Sequence, residues 1–163
     1  MKRLLMTFVI SLFTILIFAE DKTVSYQDFK IDGLYFIANK EDIIKKFGKP
    51  IKIFRPNYEC GFFSDNEQSD GPYYSLQYAY LKFTGNKLNY QLVEVLFSQK
   101  MKNKITYKNQ VLSYKTTKKE FEKIFGVKLN ENKIILRYRN ADDALIFSFI
   151  NGFLAKIDYK SPC

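Results

Sequence analysis

The chain is predicted to be an α+β protein made of two tandem repeats, each a short helix plus an antiparallel β-meander, with the helices packed on one face of the sheet. Three observations predict it. Leu34 to Gly48 reads LYFIANKEDIIKKFG, and 78 residues later Leu112 to Gly126 reads LSYKTTKKEFEKIFG, so Leu34/Leu112, Lys40/Lys118, Lys45/Lys123, Phe47/Phe125 and Gly48/Gly126 recur in step. Each copy carries the start and stop signals of a short helix. Each is followed by Tyr- and Phe-rich segments that alternate as strands do.

Residues 1–19 read as an export signal. Lys2 and Arg3 precede an almost unbroken apolar run from Leu4 to Phe18, and Ala19 supplies the small residue at the expected cut. Fifteen apolar residues fall short of the roughly 20 that span a bilayer. Cleavage therefore predicts a periplasmic or secreted protein whose net charge falls from +9 to +7 as Lys2 and Arg3 leave.

Residues 20–33 are polar and read as a loose lead-in to repeat 1, which covers 34–99. Its helix is capped by Asn39 with Asp42 at the reciprocal position; Ile43, Ile44 and Phe47 form its apolar face, and Gly48 and Pro50 end it. Strands are expected over Ile51–Phe54, Tyr58–Phe63, Tyr73–Phe83 and Leu88–Phe97. An insertion, 64–72, interrupts them. Its Asp65, Glu67 and Asp70 lack calcium-loop spacing, because Ser69 holds the fifth position and Gly71 falls one place late, so a solvated loop is expected.

Residues 100–110 form a basic linker within a lysine-rich stretch that runs from Lys100 to Lys123, including Lys108, Lys115 and Lys119. Such a stretch suits a solvated surface and a weak electrostatic contact with an anionic membrane. Repeat 2, 111–163, has a helix with Thr117 and Glu120 as capping box and Phe121, Ile124 and Phe125 as apolar face. Three strands follow, Lys133–Arg139, Ala144–Ile150 and Phe153–Lys160, the last two joined by Asn151-Gly152, a hairpin signal. Phe153, Ala155, Ile157 and Tyr159 are expected on one face of the final strand and Leu154, Lys156, Asp158 and Lys160 on the other.

Function is read largely from what the residues exclude. No His is present, which removes the common acyl-transfer and zinc arrangements. The seven Gly are scattered at turns, so no phosphate-binding loop is formed. No catalytic residue, metal or cofactor is therefore expected, and nucleic acid is not an expected partner. Cys60 and Cys163 are a candidate disulfide in an oxidising compartment, closing a loop that the chain-entropy model values at up to about 4 to 5 kcal/mol. The expected function is an exported, non-enzymatic protein-binding module working through an open sheet face, as an enzyme inhibitor or immunity-type protein. The alternatives are a cell-envelope assembly or maintenance factor and, in another class, a small hydrolase using carboxylates such as Glu59, Asp65, Glu67 or Glu94. Tyr74, Tyr78, Tyr80, Arg137 and Arg139 are the candidate partner contacts, because Tyr and Arg contribute most at interfaces.

A helix ending FGKP or FGV, then a meander closing with FSFINGFLAKIDY, in two copies over 34–160, resembles the β-lactamase-inhibitor-protein-like repeats and the related small lipoprotein of outer-membrane β-barrel assembly. The resemblance implies a helical layer on an antiparallel sheet whose concave side grips another protein. The chain departs from the lipoprotein in having no cysteine directly after its apolar run, at the expected cut.

Overall fold

In the computed structural model, residues 23–58, 71–87, 89–139 and 141–162 are described. The expected export signal, Cys60 and Cys163, the carboxylates Glu59, Asp65 and Glu67, and the insertion up to Asp70 lie outside them. No helix among the described residues is long and apolar enough to cross a membrane.

Local punctuation sets the two helices. In α1 (Lys40–Phe47) the Asn39 side-chain oxygen accepts from the Asp42 amide at 2.8 Å. In α2 (Lys118–Phe125) the box closes in both directions: Thr117 Oγ1 accepts from the Glu120 amide at 3.2 Å, and Glu120 Oε2 accepts from the Thr117 amide at 2.8 Å. Those bonds hold the Glu120 carboxyl below its ordinary range. Helices of eight residues need tertiary support.

Thirteen strands are formed by the described residues: β1 (Thr23–Val24), β2 (Phe29–Ile31), β3 (Leu34–Tyr35), β4 (Ile37–Ala38), β5 (Lys52–Phe54), β6 (Tyr74–Gln77), β7 (Leu81–Gly85), β8 (Tyr90–Leu96), β9 (Ile105–Tyr107), β10 (Gln110–Leu112), β11 (Lys133–Tyr138), β12 (Ala144–Ile150) and β13 (Phe153–Lys160). Nine of them build one large sheet in the order β1-β11-β12-β13-β8-β7-β6-β5, with β4 also on β8. The remaining four form a small sheet, β10-β9-β2-β3. The chain is thus a mixed α+β fold dominated by sheet.

Register separates the two faces of the large sheet. Leu76 pairs with Phe83, Leu81 with Val95, Val95 with Ile157, and Ile157 with Phe147, and all of these side chains are buried. This inner face meets a cluster of rings. Phe147 lies 4.9 Å from Phe121 and 5.4 Å from Phe125 of α2, while Phe29 of the small sheet lies 6.3 Å from Phe147 and 4.8 Å from Tyr107. Under α1, Phe47 lies 5.8 Å from Phe83 and 6.0 Å from Tyr78.

Three expectations are corrected. The lead-in is not loose: Val24, Tyr26, Phe29 and Ile31 are buried, and β1 runs parallel to β11 while β2 anchors the small sheet. Its apolar residues are dispersed among polar ones, which hides the strand signal. The basic linker likewise contains β9, because Ile105 and Tyr107 turn inward between exposed lysines. The strand expected over Tyr73–Phe83 is two, divided by a turn in which the Tyr78 amide donates to the Leu81 carbonyl at 2.8 Å. Tyr-Ala-Tyr holds no Gly or Pro to announce that turn.

Candidate protein-binding face

The face opposite the ring cluster is built by the alternate residues of the same strands. Across its centre run Lys82 on β7, Glu94 on β8, and Lys156 and Asp158 on β13. Register sets Lys82 beside Glu94, and Glu94 beside Asp158. The Lys156 ammonium reaches Glu94 at 2.9 Å and Asp158 at 2.7 Å, and Lys82 approaches Glu94 at 3.8 Å. Partial burial pulls the Lys156 pKa down, but the bonds to Asp158 and Glu94 outweigh it and leave a net rise above the ordinary lysine value. The four charges are partly exposed, so they fix orientation more than they stabilise.

On one side of this charged line the face is covered. Ser75 and Thr84 are fully buried, with hydroxyl oxygens 2.8 Å apart, and Gln91 beside Thr84 is buried as well. The Tyr58 hydroxyl reaches Thr84, burial raises its pKa, and Tyr58 packs with Tyr73 and Val93 in a small cluster apart from the main core.

On the other side it is open and partly apolar. Ile135 pairs with Ile146, Ile150 with Phe153, and Lys156 with Leu96. Ile150 is 65% exposed, Ile135 50%, Phe153 46% and Leu96 36%. Lys133 and Arg137, flanking Ile135 on β11, are also exposed.

The sequence-predicted contact residues divide between these regions. Arg137 stands on the open face, and Arg139 is exposed just beyond β11, its amide donating to the Val24 carbonyl at 3.1 Å. Tyr78 is corrected: it is 8% exposed, lies under Phe47, and donates its hydroxyl to the Gly48 carbonyl at 3.1 Å, so it is core and not a contact. Tyr74 is exposed but shares the inner face with Leu76, at the sheet's rim. Tyr80 is half-buried in the β6–β7 turn, where its carbonyl accepts from the Leu96 amide at 2.9 Å. Glu94, the one hydrolase candidate among the described residues, is engaged by the lysines above.

Sequence reasoning missed Ile150 and Phe153 for a specific reason. A register shift at Ser148/Phe149 pairs Ser148 with Lys156 but Phe149 with Leu154, which adds a residue to β13. Leu154 is thereby buried and Phe153 exposed, the reverse of simple alternation. The adjacent Ile146-Phe147-Ser148-Phe149-Ile150 run, apolar on both faces, was the available signal. Comparisons with protein-family models, with characterised proteins and with solved structures gave no match.

Proposed function

We propose that this chain is an exported, non-enzymatic protein-binding module built from two tandem repeats, and that it grips its partner with the open sheet face. Support for the duplication comes from connectivity. Each helix precedes an antiparallel meander; the two repeats meet through an antiparallel seam, β8 with β13, and the segments that lead into them pair through a second, β2 with β9. A local two-fold relation would generate that pairing. Phe47 resting on Phe83 and Phe121 on Phe147 supports placing both helices over the inner face.

The observation that carries the function is the exposed apolar set Ile135, Ile150, Phe153 and Leu96 beside a fixed line of charge. Single exposed apolar residues are ordinary, but four sharing one sheet face with Lys156 and Asp158 set among them have the mixed apolar and polar composition of a non-obligate interface. Rigid strands present them at little entropic cost. The partner is accordingly a protein with an apolar contact spot and polar surroundings.

The test is affinity capture by the tagged full chain from an envelope fraction, beside Ile135→Asp/Ile150→Asp. Loss of one central interface anchor costs roughly 2 kcal/mol, or about thirtyfold in Kd, so the double variant should release the partner while keeping its circular dichroism spectrum. A folded double variant that retains the same partner at the same affinity would overturn this reading.

A further inference from the structure

We infer that the cleft between the β9–β10 hairpin and α2 binds a phosphate-bearing anion, at a site separate from the open sheet face. Folding sorts the lysine-rich stretch. Lys108, Lys115 and Lys123 come to line two adjoining hollows of about 610 and 420 Å³ that share Gln110, Lys123 and Ile124. Each volume lies within the range of small-ligand sites.

The local fold explains why these three meet. Tyr107 pairs with Gln110, leaving Lys108 at the hairpin tip with a positive φ of 52°. The Ser113 amide donates to Thr116 Oγ1 at 2.9 Å, which tightens the turn carrying Lys115. The closed capping box fixes the start of α2, and Lys123 stands in its last turn.

The Lys108 ammonium sits 5.2 Å from the Tyr107 ring centre and that of Lys115 5.7 Å from the Tyr114 ring centre. Exposed contacts of this kind are weak enough to yield to an anion. Glu120 also lines the cleft, so three lysines face one carboxylate, and that carboxylate is already held by the Thr117 amide and hydroxyl. Exposed Gln110 and Asn109 and half-buried Ser113 add neutral donors. Several ammonium point charges around one concavity suit a multiply charged phosphate better than a single carboxylate. An anionic lipid headgroup and a soluble phosphate chain share that chemistry.

Two probes separate the sources: co-sedimentation of the full chain with phosphatidic-acid-containing vesicles, whose phosphomonoester headgroup can carry two charges, and calorimetric titration with inorganic tripolyphosphate, both at low salt. At about 1 kcal/mol per lysine, Lys108→Gln/Lys115→Gln/Lys123→Gln should weaken binding roughly a hundredfold. Lys45→Gln/Lys46→Gln/Lys49→Gln, which removes the same charge from exposed sites on and just after α1, should cost at least about tenfold less. Binding to vesicles alone assigns the headgroup; binding to tripolyphosphate, with or without vesicles, assigns phosphate itself. No binding to either probe, or equal loss in the two triple variants at unchanged circular dichroism, overturns the inference.

Discussion

Phe147→Ala is expected to lower the unfolding free energy by about 3 to 5 kcal/mol, the range for removing a fully buried phenylalanine from a packed core. The ring is completely buried on β12 and meets Phe121 and Phe125 of α2 and Phe29 of the small sheet. It therefore joins β12 to α2 and to the small sheet, a junction it shares with Phe125, whose ring meets Phe29 and Tyr107 as well as Phe147. α2 is only eight residues long and gains little from propensity, so a cavity beneath it removes the support that keeps it folded. Relative to a total stability of about 5 to 15 kcal/mol the loss is large, and the thermal midpoint should fall by roughly 10 °C. Ile150→Ala on the same strand supplies the control. Its side chain is 65% exposed, so the change should stay within about 0.5 kcal/mol. Urea denaturation of both variants reads the contrast, and comparable losses would mean that β12 does not divide its residues between a buried and an open face.

Gly85→Ala is expected to cost about 2 to 3 kcal/mol, although alanine is small and the site is a strand. The reason is space. A Cβ on Gly85 would stand 2.5 Å from Tyr90 Cα and 2.8 Å from the Asn89 carbonyl carbon, and closer still to the Asn89 oxygen. All three are backbone atoms, so no side-chain rotation relieves the contact, and the β7–β8 hairpin must open where Gly85 pairs with Tyr90. Gly152→Ala isolates the other cause of glycine dependence. Gly152 has φ of 82° with nothing within 4 Å of a built Cβ, so only backbone strain of about 1 to 2 kcal/mol applies. Denaturation midpoints should rank wild type above Gly152→Ala and Gly152→Ala above Gly85→Ala. Equal midpoints for Gly85→Ala and wild type would refute the close approach.

Elements governed by local chemistry were legible in the sequence. Asn39 and Thr117 opened the helices, Gly48 and Gly126 closed them, and Asn151-Gly152, with φ of 51° and 82°, joined β12 to β13. Elements governed by pairing at a distance were not. Val24 and Phe29 lie in a polar stretch and acquire strand structure from β11 and β9, partners more than seventy residues away. The open sheet face suffered most. Tyr74, Leu76 and Tyr78 share a side as alternation requires, but only α1 packing on Tyr78 shows that this side is covered. The bulge that turns Phe153 outward leaves no mark on composition, since it depends on which residue of β12 each residue of β13 meets.

Hydroxyl-radical footprinting of the free protein, read residue by residue by mass spectrometry, tests the central claim most directly. Ile135, Ile150 and Phe153 should be modified readily while Leu145, Phe147 and Phe149 on the neighbouring inner face stay protected. Protection of Ile135, Ile150 and Phe153 to the same degree as Phe147 would contradict it.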